Sequence, residues 1–108
     1  MAYFPFFVDL ASRRGLVVGG GRTALGKVRW LLEFGPTLTV IAPELLDELK
    51  QTEGIRILRR AFRPEDIGED TDFVIAATDD PELNRSISAI CRERRIPVNV
   101  VEIGRAHV

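Results

Sequence analysis

An apolar run that ends in three consecutive glycines constrains this chain more than any other stretch. Leu16-Val17-Val18 leads straight into Gly19-Gly20-Gly21, and an amphipathic helical pattern opens directly behind it. Read as G-x-G-x-x-A, the motif uses Gly19, Gly21 and Ala24. The first glycine permits a tight strand-to-helix turn, and the second lets a pyrophosphate approach the backbone. The third small residue lets the helix lie close to its strand. Free N–H groups in the first helical turn, with the positive end of the helix dipole, suit a diphosphate. Arg22 and Thr23 open that helix. Arg22 either lies against the pyrophosphate or is a solvated first-turn side chain.

The rest of the chain alternates strand and helix patterns. The first strand is expected at about 15–19 and its helix at about Thr23 to Phe34, with Ala24, Val28, Leu31 and Leu32 as one buried stripe. Gly26 interrupts that helix at a cost of about 1 kcal/mol relative to alanine; close packing is one reason for a glycine there, and the sequence alone does not decide. Gly35-Pro36 stops it. Thr37 to Ala42 is β-branched and apolar, a second strand closed by Pro43. Glu44 to Gln51 reads as a short helix, and Ile55 to Arg59 as a half-polar edge strand. Arg63 to Thr71 is a polar connection with room for one helical turn after Pro64. The unbroken run Asp72 to Ala77 predicts a central strand covered on both faces. Asp80 is placed to cap a helix whose first residue is Pro81, with Leu83, Ile87, Ile90 and Cys91 facing inward. Ile96 to Val101 makes a last strand. Residues 3–8 are aromatic and apolar around Pro5 and are expected to pack on the sheet or at its edge.

This alternation predicts an α/β Rossmann-like NAD-binding domain, a parallel sheet with strand order 3-2-1-4-5 and right-handed crossovers. Its switch point lies between strands 1 and 4, where a ligand binds outside the carboxyl ends of the strands. The glycine turn and Ala77-Thr78-Asp79-Asp80 both reach that crevice, Asp79 being the freer acid. Such folds place an acid about 20 residues past the glycines for the adenosine ribose. Glu44, just beyond Pro43, stands 25 positions after Gly19. It either accepts from the ribose or faces water at a helix start. No arginine occupies the end of strand 2, which favours NAD over NADP.

Other classes of function find little support. A net charge of −1 gives no drive toward nucleic acid or a membrane surface. No run approaches the ~18 apolar residues of a membrane span, and the N-terminus lacks the features of a signal peptide. Cys91 is the only cysteine. It reads as a small core residue in a reducing, cytoplasmic setting. His107 is the only histidine, and no Cys/His cluster suggests a metal site.

Five stretches together resemble a known family. Phe4-Pro5-Phe6-Phe7, Val17 to Gly21, Leu38 to Glu44, Ala76 to Asn84 and Val98-Asn99-Val100-Val101 look like the N-terminal domain of siroheme synthase. This is the precorrin-2 dehydrogenase/sirohydrochlorin ferrochelatase family. The likeness covers about residues 3–101 in consistent order. It implies NAD-dependent oxidation of precorrin-2, a polycarboxylated tetrapyrrole, to sirohydrochlorin in siroheme biosynthesis. Some members also insert iron, and full-length members are homodimers. By position, Arg22, Thr23, Pro43 and Glu44 match the family's NAD contacts, with Thr78 and Asp79 lining the same crevice.

There are departures. The family usually carries Arg-Lys where this chain has Gly26-Lys27. It also has an aspartate directly after Asn-Val-Val, on which both activities depend. Glu102 occupies that position and is the candidate catalytic carboxylate. Residues 102–108 do not resemble the family and match the in-frame start of a common sequencing adapter. They are expected to be a non-native tail after a domain of residues 1–101. A rival reading is a regulatory NAD-binding module like the ligand-gating domains of potassium transporters. Those usually end strand 2 with an acid and carry Gly-Asp-Ala-Thr after strand 3. Here Ala42-Pro43 and Arg60-Ala61-Phe62 stand at those places.

Overall fold

The computed structural model describes residues 2–101. Five strands form one sheet: β1 (Arg14–Val18), β2 (Thr37–Ile41), β3 (Ile55–Leu58), β4 (Phe73–Ala76) and β5 (Val98–Val100). The order is β3-β2-β1-β4-β5. Every pairing is parallel, with Val17 opposite Val40 on one side and Ile75 on the other. The helices are α1 (Arg22–Leu32), α2 (Asp47–Lys50) and α3 (Pro81–Arg94), with a 3-10 turn at Pro64–Asp66. The predicted strand order and parallel pairing are therefore both present.

Strand alternation divides the core into two layers. Val17, Val40 and Ile75 face α1 and pack with Ala24, Leu25, Val28 and Leu49. Leu16, Val18, Ile41 and Val74 face the other way and pack with Ile87 and Cys91 of α3. β4 is buried along its whole length. A parallel strand covered by helices on both faces requires that apolar run. β3 is the half-buried edge.

Local signals set the boundaries at most junctions. The Asp80 carboxylate accepts from the N–H groups of Glu82 (3.0 Å) and Leu83 (3.4 Å), capping α3 with Pro81 as its first residue. Between β3 and β4, Asp66 takes two hydrogen bonds from the Arg60 guanidinium (2.7 and 2.9 Å) and one from the Arg63 N–H (2.8 Å). The Arg60 guanidinium holds the Asp66 carboxyl below its ordinary 3.8, with help from the Arg63 N–H and against the opposing effect of burial.

The structure corrects several expectations. Residues 3–8 form no strand and cover nothing: Phe4 is 75% exposed and Phe7 fully so. They precede the central strand β1, which is already paired on both sides by β2 and β4, and the open edges of the sheet, β3 and β5, lie two strands away on either side. Only Leu10 reaches the core. Gly26 is exposed, and a methyl group there would meet nothing within 4 Å, so close packing does not explain it. The buried stripe of α1 is Ala24, Leu25 and Val28, while Leu31 and Leu32 are half-buried. α2 begins at Asp47 rather than Glu44. Residues 43–46 instead run as a loop whose Leu46 N–H is bound to the glycine turn.

Candidate functional site

The three glycines have three different jobs. Gly19 adopts φ +139°, in the region that favours glycine, and a Cβ there would lie 2.3 Å from the Ala77 carbonyl oxygen. Its N–H donates to Ile41 O at 3.0 Å. The turn is thereby set between the ends of β2 and β4. Gly20 lies beneath the loop after β2. Its carbonyl accepts from Leu46 N–H (2.9 Å), and a Cβ would meet Glu44 O at 2.0 Å. Gly21 caps α1 and has open space where its Cβ would be.

That opening has the properties of an anion site. No side chain caps α1, and its first turn carries no acid. The first N–H groups of the helix therefore keep their donors for a ligand, and the dipole favours negative charge. They face a crevice of about 580 Å³, within the range of small-molecule and cofactor sites. A Cβ at Gly21 would project into free space at its edge. The cradle thus fits the pyrophosphate of a dinucleotide.

Gly19, Gly21, Arg22, Thr23, Pro43, Glu44, Thr78 and Asp79 all line this one crevice. Arg22 is exposed and pairs with Glu48 of α2, Nη2 to Oε2 3.3 Å. Glu44 is exposed in the loop after β2. Asp80 is committed to its cap, and Asp79 is exposed at the crevice. Glu102, the candidate catalytic carboxylate, and the expected tail 102–108 lie outside the described residues. Val101 is the last described residue, and its N–H donates to Ala76 O at 2.9 Å. Among the described residues no cluster of three or more metal-ligating side chains occurs.

Three features of the site escape the motif. Gly20 falls on an unspecified position of G-x-G-x-x-A, yet it has the tightest surroundings of the three glycines. Asn84 is 4% exposed, the one buried polar side chain among the described residues. Its Oδ1 accepts from Thr78 N–H (3.2 Å) and Thr78 hydroxyl (2.7 Å), and its Nδ2 donates to Thr78 O (3.0 Å). Asn84 thus fixes the loop at the crevice from the first turns of α3. Phe62, after β3, lines the crevice from the β2 side. An asparagine on the expected inner face of a helix was the available signal for Asn84. Nothing local marked Phe62.

Comparison with known proteins agrees with this geometry. The family profile described as "Putative NAD(P)-binding" matches residues 6–106. The siroheme synthase of Thioalkalivibrio sulfidiphilus is 47% identical over 105 residues, that of Pseudomonas entomophila 45% over 105, and that of Nitrosomonas europaea 41% over 106. Each alignment covers 94% of this chain but only 21–22% of the relative. The chain thus spans about a fifth of the length of the relatives it matches. A solved structure titled "SirC, precorrin-2 dehydrogenase" superposes with a TM-score of 0.70 at 29% identity, over 90% of this chain and 48% of that one. With its five-stranded parallel sheet, its glycine turn and the profile match over residues 6–106, the chain belongs to the NAD(P)-binding family.

Proposed function

We propose that this chain is the dinucleotide-binding dehydrogenase domain of a siroheme-synthase-type protein, oxidising precorrin-2 to sirohydrochlorin with NAD. The observation that carries the reading is the single crevice joining the glycine turn to the Thr78–Asp79 loop, in a chain 41–47% identical to siroheme synthases. When bound, NAD supplies the hydride acceptor for carbon oxidation. The backbone N–H groups from Gly21 to Thr23 hold its diphosphate. Glu44, in the loop after β2, accepts from the adenosine ribose, and the absence of an arginine there favours NAD over NADP. The small Ala76 and Ala77 leave room over β4, and Asn84 holds Thr78 and Asp79 at the crevice edge. Loss of a hydride from the macrocycle is accompanied by loss of a proton, which calls for a carboxylate base. The family resemblance assigns that role to position 102, here Glu102.

The tetrapyrrole substrate, iron insertion in the longer protein, a homodimeric assembly and a cytoplasmic setting belong to the same reading. No described helix is long and apolar enough to cross a membrane. The test is a chimaera in which this chain, with aspartate at position 102, replaces the matching segment of the Pseudomonas entomophila siroheme synthase. NAD titration is followed by precorrin-2 addition and NADH absorbance. Saturable NAD binding and NADH formation are expected. Saturable NAD binding with no turnover, beside an active parent enzyme, would assign the chain to the regulatory class of NAD-binding modules instead.

A further inference from the structure

We infer that Phe62 forms the wall on which the adenine base of the dinucleotide stacks, and that the Arg60–Asp66 clamp positions it. The inference rests on the cofactor reading above. A dinucleotide with its diphosphate on the α1 N-terminus has its adenosine half toward the end of β2, where the ribose acid stands. β3 is the next strand outward on that side, and the chain leaving it supplies Ala61 and Phe62 to the crevice. Phe62 is half-buried. It packs against the Val18, Ile41 and Ile67 layer of the core and also borders the crevice. An aromatic residue that packs on the core and also borders the crevice can serve as a stacking platform for a flat base.

The backbone on either side is tied down by hydrogen bonds. The Arg60 guanidinium binds both carboxylate oxygens of Asp66 and the Ala61 carbonyl (3.1 Å). Asp66 also receives the Arg63 N–H. This closes residues 60–66 into one loop with Ala61 and Phe62 on its crevice side. Arg60 and Asp66 are positioning residues, since their charges satisfy each other and not a ligand.

The test compares the wild-type chain with Phe62→Leu, which keeps apolar bulk in the core, and Phe62→Tyr, which keeps the ring. Calorimetric titration with NAD and with ADP-ribose is paired with nuclear Overhauser contacts between adenine protons and the Phe62 ring. Base–aromatic stacking predicts that Phe62→Leu loses about tenfold in affinity for both ligands. Phe62→Tyr should stay within about twofold of wild type, and wild type should show the adenine–Phe62 contacts. Unchanged affinity in Phe62→Leu, or absent contacts in a saturated wild-type complex, overturns the assignment while leaving the cofactor reading intact. A wild-type chain that binds neither ligand overturns both.

Discussion

Replacing Gly20 and Gly21 separately with alanine should break two different properties of the chain. At Gly20 the new methyl would lie 2.0 Å from Glu44 O and 2.9 Å from Ala42 Cβ. The obstacle is mainly backbone, and the loop after β2 is tied to Gly20 by its own hydrogen bond from Leu46. The loop must move, at the cost of an overpacked core, about 1–3 kcal/mol. For a domain of this size that lowers Tm by roughly 5–20 °C. At Gly21 the methyl meets nothing, and φ of −99° suits any residue. Alanine is a poorer helix cap than glycine but restricts the unfolded chain, so the net change stays within about 0.5 kcal/mol. The same methyl would stand where a diphosphate must approach the N–H groups. Losing one hydrogen bond to a charged group costs about 1.5–3 kcal/mol, or about 10- to 150-fold in Kd. Thermal melting and calorimetric titration with NAD separate the two effects. Gly20→Ala should melt early, and Gly21→Ala should melt normally but bind weakly. Wild-type NAD affinity in Gly21→Ala would refute the placement of the diphosphate.

Other expectations follow from single contacts. Asn84→Ala strands the Thr78 N–H and carbonyl, and should lower stability by about 1–3 kcal/mol in denaturant titration. Asn84→Asp sets a carboxylate against the Thr78 carbonyl, so it should be unstable at neutral pH and recover in part as acid protonates it. Asp66 has a folded-state pKa below its ordinary 3.8. Its contribution is therefore complete above the unfolded value and is lost as pH falls through the folded one. Asp66→Asn should accordingly cost stability at pH 6 and flatten the acid limb of the stability–pH curve below about pH 4. Burial pushes the Cys91 thiol up, so a thiol-specific chromogenic reagent should react with it only in denaturant.

The sequence made the site's local chemistry legible and left its long-range contacts obscure. Gly19, Asp80 and Pro81 act through their own φ angles and neighbouring N–H groups, so their types and order reveal their roles. The strand order was readable because the apolar run of β4 demands two covered faces and the half-polar pattern of β3 suits an edge. Gly20 was missed because the atom it must avoid belongs to Glu44, in a loop after the next strand. Phe62 was missed because its place at the crevice depends on β3 lying outside β2 and on the Arg60–Asp66 clamp. The aromatic residues of the N-terminal segment were expected to pack because they are apolar. Composition says nothing of whether a sheet surface remains free to receive them.

In the proposed function, a dinucleotide diphosphate sits on the turn between β1 and α1, across from the Thr78–Asp79 loop. Amide chemical-shift mapping of this chain during titration with NAD reads that placement residue by residue. Saturable shifts are expected to concentrate at Gly20, Gly21, Arg22 and Thr23 and at Thr78 and Asp79. Saturable shifts confined to other surfaces, or none at all, would contradict it.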